Sequence, residues 1–277
     1  MNTEGDCRLK SGELMPWEDP ERAAYTKPPP PGTEDVAFVA NFDGTEQRYV
    51  LVPPGGVMPT DAVDVLFTFH GHGGTRWQFV TETQWERRAT RDIAKERGML
   101  LVAPDYRACT SWMGPAAEAD TLQIIDELRK RFNVRHIFFS GASMGGTATL
   151  TLAARHPEIA SGLVALNPLA NHLSYENFQD AIAASFGGSK AEKFAEYKER
   201  SALFYPENFK VPISVTVGGR DDVVPPESVT ELCAAIHSLH PELVYFDACP
   251  WRIHMTNYED SLRAFREMFN RFDSQGK

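Results

Sequence analysis

Gly141-Ala142-Ser143-Met144-Gly145 constrains this chain more than any other segment, because of what flanks it. Before it runs His136-Ile137-Phe138-Phe139-Ser140, the aromatic and β-branched stretch of a buried parallel strand. After it, Gly146 to His156 reads as a helix stopped by Pro157. A serine at such a junction sits on a sharp turn that its glycine neighbours permit. The turn lifts the hydroxyl above the sheet and points the next residue's amide into the same space. The five-residue pattern alone recurs by chance; strand before and helix after give it weight.

The rest of the chain alternates strand and helix. Residues 36–40 and 48–52 read as a hairpin across Asp43-Gly44. Strands are predicted at 63–69, 99–103, 136–140 and 162–166, with helices at 85–97, 116–132 and 146–156 between them. From Asn171 to Lys210 the rhythm breaks into two short helices around Gly187-Gly188, carrying Tyr175, Phe178, Phe186, Phe194 and Tyr197. These aromatics read as the small core of an insertion above the strand ends rather than as a substrate platform. Strands at 212–217 and 243–246 and helices at 228–240 and 258–272 restore the alternation. Such a rhythm implies right-handed crossovers and a mostly parallel sheet with helices on both faces. One domain over residues 35–277 absorbs it, with the insertion at about 171–210. Residues 1–34, with Pro28-Pro29-Pro30-Pro31, read as an extended arm or linker, anchored by Trp17.

A net charge of −10 argues against nucleic acid or an anionic membrane as the main partner. No apolar run approaches the ~20 residues of a membrane span. Met1 to Lys10 is polar and lacks the apolar centre of a secretory signal, so a cytoplasmic location is expected, with a secreted form from which a signal has been removed as the alternative. Cys7, Cys109, Cys233 and Cys249 have neither metal-like spacing nor the density of a disulfide framework. They read as reduced thiols, with Cys109 and Cys249 the one pair that neighbouring loops could bring together.

Three motifs make the chain resemble the α/β-hydrolase superfamily over roughly residues 35–272: His70-Gly71-His72-Gly73-Gly74, the segment around Ser143, and Gly218-Gly219-Arg220-Asp221-Asp222-Val223-Val224-Pro225. Within it, the chain is similar to single-domain esterases related to the catalytic domain of prolyl oligopeptidases. The resemblance implies the order serine, acid, histidine. Asp221 fits the acid, because it ends a buried strand and precedes the Val223-Val224-Pro225 turn; Asp222 is its competitor. His254 follows the last strand and fits the base, although the family often has glycine where Ile253 stands. His237, His240, His156, His136 and His172 sit at helix ends, on a strand or in the insertion, where structural roles are commoner. For the oxyanion hole the resemblance implies the backbone amides of His72 and Met144. His70 and His72 could suggest a metal site, but no third ligand stands near and a glycine-rich loop suits amide donation better. Arg107 and Trp112, after the strand ending at Ala103, are candidates for the substrate pocket, with loop packing as the equal alternative.

A serine hydroxyl needs a base, and the base an orienting acid. The expectation is a serine carboxylesterase that hydrolyses a small-molecule ester through an acyl-enzyme, with no metal or organic cofactor. Short acyl chains, on a sugar or a phenolic alcohol, are the expected substrates. A small-peptide hydrolase of prolyl oligopeptidase type is the alternative, against which the hydrolase pattern leaves no room for a propeller domain. A non-catalytic binding relative is the other.

Overall fold

The computed structural model describes residue 20 and residues 23–55 and 61–275. Most of the arm expected at 1–34, Trp17 included, lies outside the described residues.

Eight strands form one sheet in the order β1-β2-β4-β3-β5-β6-β7-β8. Strands β1 (Glu34–Val39) and β2 (Glu46–Val52) make the expected hairpin, and β2 runs antiparallel to β4 (Leu100–Pro104). From β4 onward every pairing is parallel, through β3 (Ala62–Phe69), β5 (Asn133–Ala142), β6 (Gly162–Leu166), β7 (Ile213–Gly218) and β8 (Val244–Cys249). The interior strands are buried on both faces, so they read as continuous apolar runs.

The two-residue period still sorts their side chains. Leu163 and Ala165 of β6 face a core built with α3 (Pro115–Arg131), α4 (Met144–Arg155) and α7 (Glu227–Leu239). Val164 and Leu166 face the opposite core, closed by α2 (Trp85–Glu96) and α8 (Tyr258–Gln275). Helices therefore cover both faces, as the alternation required.

Two of the departures from the sequence expectation have a plain reason. A single helical turn, α1 (Gln78–Thr81), precedes α2, too short for periodicity to show. Strand β8 runs to Cys249, beyond the apolar stretch, because at the sheet edge its register with β7 continues through Asp247 and Ala248 up to Gly218 opposite Cys249.

The insertion holds α5 (Gln179–Phe186), α6 (Phe194–Glu199) and two 3-10 turns. Tyr175, Phe186 and Tyr197 are buried, whereas Phe178 and Phe194 are exposed. Tyr175 donates its hydroxyl to the Val223 carbonyl at 2.8 Å, and Ser185 donates to the Ser111 carbonyl. The insertion is thus tied to two loops at the carboxyl end of the sheet.

The reading of four reduced thiols is corrected. Cys109 is disulfide-bonded, while Cys233 and Cys249 carry free thiols, so a Cys109–Cys249 bridge is not formed. Pairing depends on which loops meet in space, which spacing along the chain does not encode.

Candidate active site

Strand β5 ends at Ala142 and α4 begins at Met144, leaving Ser143 as the whole connection. Its backbone lies at φ 58°, ψ −123°, a region that costs a non-glycine residue about 1–3 kcal/mol. The surroundings hold it there: the Ser143 amide donates to the Leu166 carbonyl at 2.8 Å, and the Thr147 amide to the Ser143 carbonyl at 2.9 Å. Side chains at the flanking glycines would collide with backbone. A Cβ on Gly145 would lie 1.9 Å from the Phe69 carbonyl oxygen, and one on Gly141 2.4 Å from the Gly145 backbone.

Asp221 follows β7 and is buried. Its Oδ1 accepts the amides of Val223 and Val224 at 3.1 and 2.8 Å, which fixes the carboxylate plane. Its Oδ2 accepts the Nδ1–H of His254 at 2.7 Å. With the proton on Nδ1, the Nε2 lone pair accepts the Ser143 hydroxyl at 2.7 Å. Asp222 is exposed, and its carbonyl accepts from Asn177 Nδ2 at 3.2 Å.

His254 rides on the loop after β8. Thr256 pins that loop: its hydroxyl donates to Asn167 Oδ1 at 2.6 Å and accepts from the Thr216 hydroxyl at 2.6 Å. Ile253 stands where the family often has glycine, yet it is absent from the positive-φ residues, so its backbone needs no glycine. Three of the other candidate histidines are engaged elsewhere. His156 pairs with Glu118 at 2.6 Å, His136 with Asp64 at 2.9 Å, and His172 is buried against Trp112 and Phe186.

In the loop after β3 the three glycine amides are engaged. The Gly71 amide donates to Gln78 Oε1 at 2.9 Å, Gly73 to the Cys109 carbonyl at 2.8 Å and Gly74 to the Gly71 carbonyl at 2.9 Å. His72 N–H finds no acceptor among the described residues. Met144 N–H stands at the first turn of α4, where the helix supplies no acceptor. His70 is buried with its ring nitrogens 2.9 and 3.2 Å from the carbonyl oxygens of Gly71 and Asp105, and as burial pushes its pKa down the neutral ring donates to one of them. His72 Nδ1 accepts the Trp112 indole N–H at 3.2 Å, and its ring lies 4.3 Å from that of Phe178. Burial, with His70 nearby, pushes its pKa down, so the ring is neutral at pH 7.

Two concavities meet at His72. A cleft of about 170 Å³ is lined by Ser143, His254, Gln78, Glu86 and Asn167. A wider groove of about 660 Å³ is lined by Thr110, Phe178, Gln179 and Ala184. Glu86, on the first turn of α2, is buried, and burial pushes its carboxyl above the usual range.

The two pocket candidates lie elsewhere. Arg107 is held in ion pairs with Asp43 and Asp120, both at 2.6 Å, and lines neither concavity. Its guanidinium stabilises a buried carboxylate instead, which is the loop-packing alternative. Trp112 is fully buried and backs the site from behind, through its indole N–H on His72 Nδ1 and its ring 5.7 Å from that of Phe178. Conversely, Gln78, Glu86 and Asn167 line the site without having been singled out, and Phe178, expected in the core of the insertion, is exposed and lines the groove instead. Glu86 resembles any acidic residue at a helix start, and Asn167 any polar residue after a strand.

Residues 77–270 match the model of the prolyl oligopeptidase family. A curated relative, the rat acylamino-acid-releasing enzyme, is 24% identical over 220 residues, which cover 71% of this chain and 29% of the relative. The chain therefore spans less than a third of that relative's length. Among solved structures, a putative dipeptidyl aminopeptidase IV from Bacteroides ovatus superposes with a TM-score of 0.69 at 18% identity, over 88% of this chain and 36% of that one. Est1E from Butyrivibrio proteoclasticus superposes with a TM-score of 0.62 at 16% identity, over 87% of this chain and 99% of its own. These likenesses establish the α/β-hydrolase fold.

Proposed function

The chain belongs to the prolyl oligopeptidase family of serine hydrolases, and from that premise we propose that it is a serine carboxylesterase acting on short-chain esters through Ser143, His254 and Asp221. The hydrogen-bonded sequence Ser143–His254–Asp221, with both links at 2.7 Å, carries the reading. Ser143 Oγ attacks the ester carbonyl while His254 Nε2 takes its proton, and Asp221 stabilises the imidazolium and keeps its tautomer. Negative charge on the carbonyl oxygen is met by the unused amides of His72 and Met144. His254 returns the proton to the leaving alcohol, and water repeats the cycle on the acyl-serine.

Fluorophosphonate labelling tests the nucleophile: wild type becomes covalently modified and Ser143→Ala does not. The same substitution lowers kcat by ~10⁴–10⁶; an unlabelled wild type overturns the reading. A peptidase reading is favoured by the name of the rat relative. Parallel assays of p-nitrophenyl esters of graded acyl length and of N-acetylalanine p-nitroanilide separate the two. The esterase reading expects short esters to lead, whereas a dominant anilide rate overturns it in favour of the peptidase.

A further inference from the structure

Three residues that line the cleft beside Ser143 carry a buried side-chain atom with no hydrogen-bond partner among the described residues; Arg87 Nε still faces Glu82 at 3.1 Å, which leaves Glu86 Oε2 and Asn167 Nδ2 as the two orphans. Glu86 is 7% exposed and Asn167 4%, so solvent does not stand in freely for a partner. Buried polar atoms in folded chains are nearly always bonded, and an exception beside a reactive group calls for a function. The opposite end of each side chain is fixed. Asn167 Oδ1 accepts from Thr256 at 2.6 Å, which turns the Asn167 amide N–H₂ away from that oxygen. Glu86 Oε1 faces Arg87 Nη2 at 3.7 Å, but Arg87 also pairs with Glu82 at 3.1 Å, so Glu86 is only partly neutralised.

The chemistry of the two orphans is complementary. Glu86 Oε2 needs a donor and Asn167 Nδ2 an acceptor. A hydroxyl is both; an alkyl group is neither, and an ammonium answers Glu86 alone. Position says which part of a substrate comes here. His254 lines this cleft and not the wide groove, and it is the imidazole that delivers a proton to the departing alcohol. An alcohol that takes this proton is bound beside His254 in the cleft, which Ser143 also lines, and the groove that meets the cleft at His72 is left for the acyl group. At about 170 Å³ the cleft accepts a small polar alcohol.

On the serine-esterase reading above, we propose that Glu86 and Asn167 form a leaving-group subsite that selects esters of polyols, such as diols, glycerol or sugars, over esters of plain alkanols. Glu86 is a specificity-determining residue in this scheme: it accepts the second hydroxyl of the alcohol, and Asn167 donates to that hydroxyl or its neighbour.

The experiment compares 2-hydroxyethyl acetate, 2-aminoethyl acetate and propyl acetate, which differ chiefly in one terminal group, by the rate of acetate release at pH 7. Wild type is expected to favour the hydroxyethyl over the propyl ester by about tenfold or more in kcat/KM, with the aminoethyl ester between them. Glu86→Leu is expected to erase that ratio, and the isosteric Glu86→Gln to reduce it less. A purely structural Glu86 would lower all three rates together and leave the ratio intact. Equal rates for hydroxyethyl and propyl esters in wild type overturn the proposal without any variant, as does an unchanged ratio in Glu86→Leu. A leading aminoethyl ester also overturns it, assigning the cleft to ammonium groups. Fluorophosphonate labelling of wild type keeps the two readings apart. Labelling without selectivity ends the subsite alone, whereas no labelling ends the esterase reading beneath it.

Discussion

Gly218 lies so close to the His254 loop that a Cβ there would stand 2.4 Å from the carbonyl oxygens of both Arg252 and Ile253. The end of β7, which leads to Asp221, and the loop that carries His254 meet across this gap. The Arg220 amide, donating to the Arg252 carbonyl at 3.0 Å, seals the contact. The 2.7 Å link between Asp221 and His254 thus depends on a residue with no side chain.

Gly218→Ala is expected to push the loop outward, because the atoms met are backbone and cannot rotate away. A displacement near 1 Å at a catalytic group costs on the order of 10²-fold in rate, and overpacking costs about 1–3 kcal/mol in stability. Measurement of kcat on p-nitrophenyl acetate beside urea denaturation checks both. A fully active variant would show that the loops do not need this approach.

Asp221 and Asp222 are neighbours with opposite surroundings. Asp221 is buried and bonded to His254, and Asp222 is exposed. Asp221→Asn is expected to lower kcat by ~10⁴ through the wrong imidazole tautomer, while Asp222→Asn stays within about twofold of wild type, as surface changes usually do. Collapse of activity in Asp222→Asn alone would move the acid by one residue.

Much of this was legible in the sequence because the signals were local. The strands were visible as apolar runs, since parallel interior strands are buried on both faces. Ser143 was visible because its glycines and flanking elements lie within a few positions of it. What escaped was tertiary. Arg107 and Glu86 show it from opposite directions, each a charged residue near the expected pocket. Only the fold places Asp43 and Asp120 around Arg107 and leaves Glu86 Oε2 without a hydrogen-bond partner among the described residues. The disulfide at Cys109 is of the same kind.

Arg107 gives a prediction of its own. Asp120 is almost wholly buried, with its side chain 1% exposed against the guanidinium. Arg107→Ala leaves that carboxylate buried without its partner, which is expected to cost about 3 kcal/mol. Because Arg107 lines neither concavity, KM is expected to stay within about twofold. Urea denaturation and steady-state kinetics on one preparation read both. A large rise in KM with unchanged stability would return Arg107 to the substrate pocket.

His172 sets a pH dependence of stability. It is fully enclosed between the rings of Trp112 and Phe186, and neither ring nitrogen has a hydrogen-bond partner among the described residues. Burial, reinforced by the positive charges of Arg200 and Lys190, pushes its pKa down to about 3 from 6.5. Above pH 6.5 the ring is neutral in both folded and unfolded chains and contributes no pH dependence. As the pH falls from 6.5 towards 3, the unfolded chain takes up a proton that the folded chain refuses. Stability drains away over that window by up to about 1.4 kcal/mol per pH unit. His172→Leu removes the proton site and the two unpartnered nitrogens, so its melting temperature is expected to gain on wild type progressively between pH 6.5 and pH 4. Melting curves of the two proteins that fall in parallel over this range would mean that the folded protein protonates His172 as readily as the unfolded chain does.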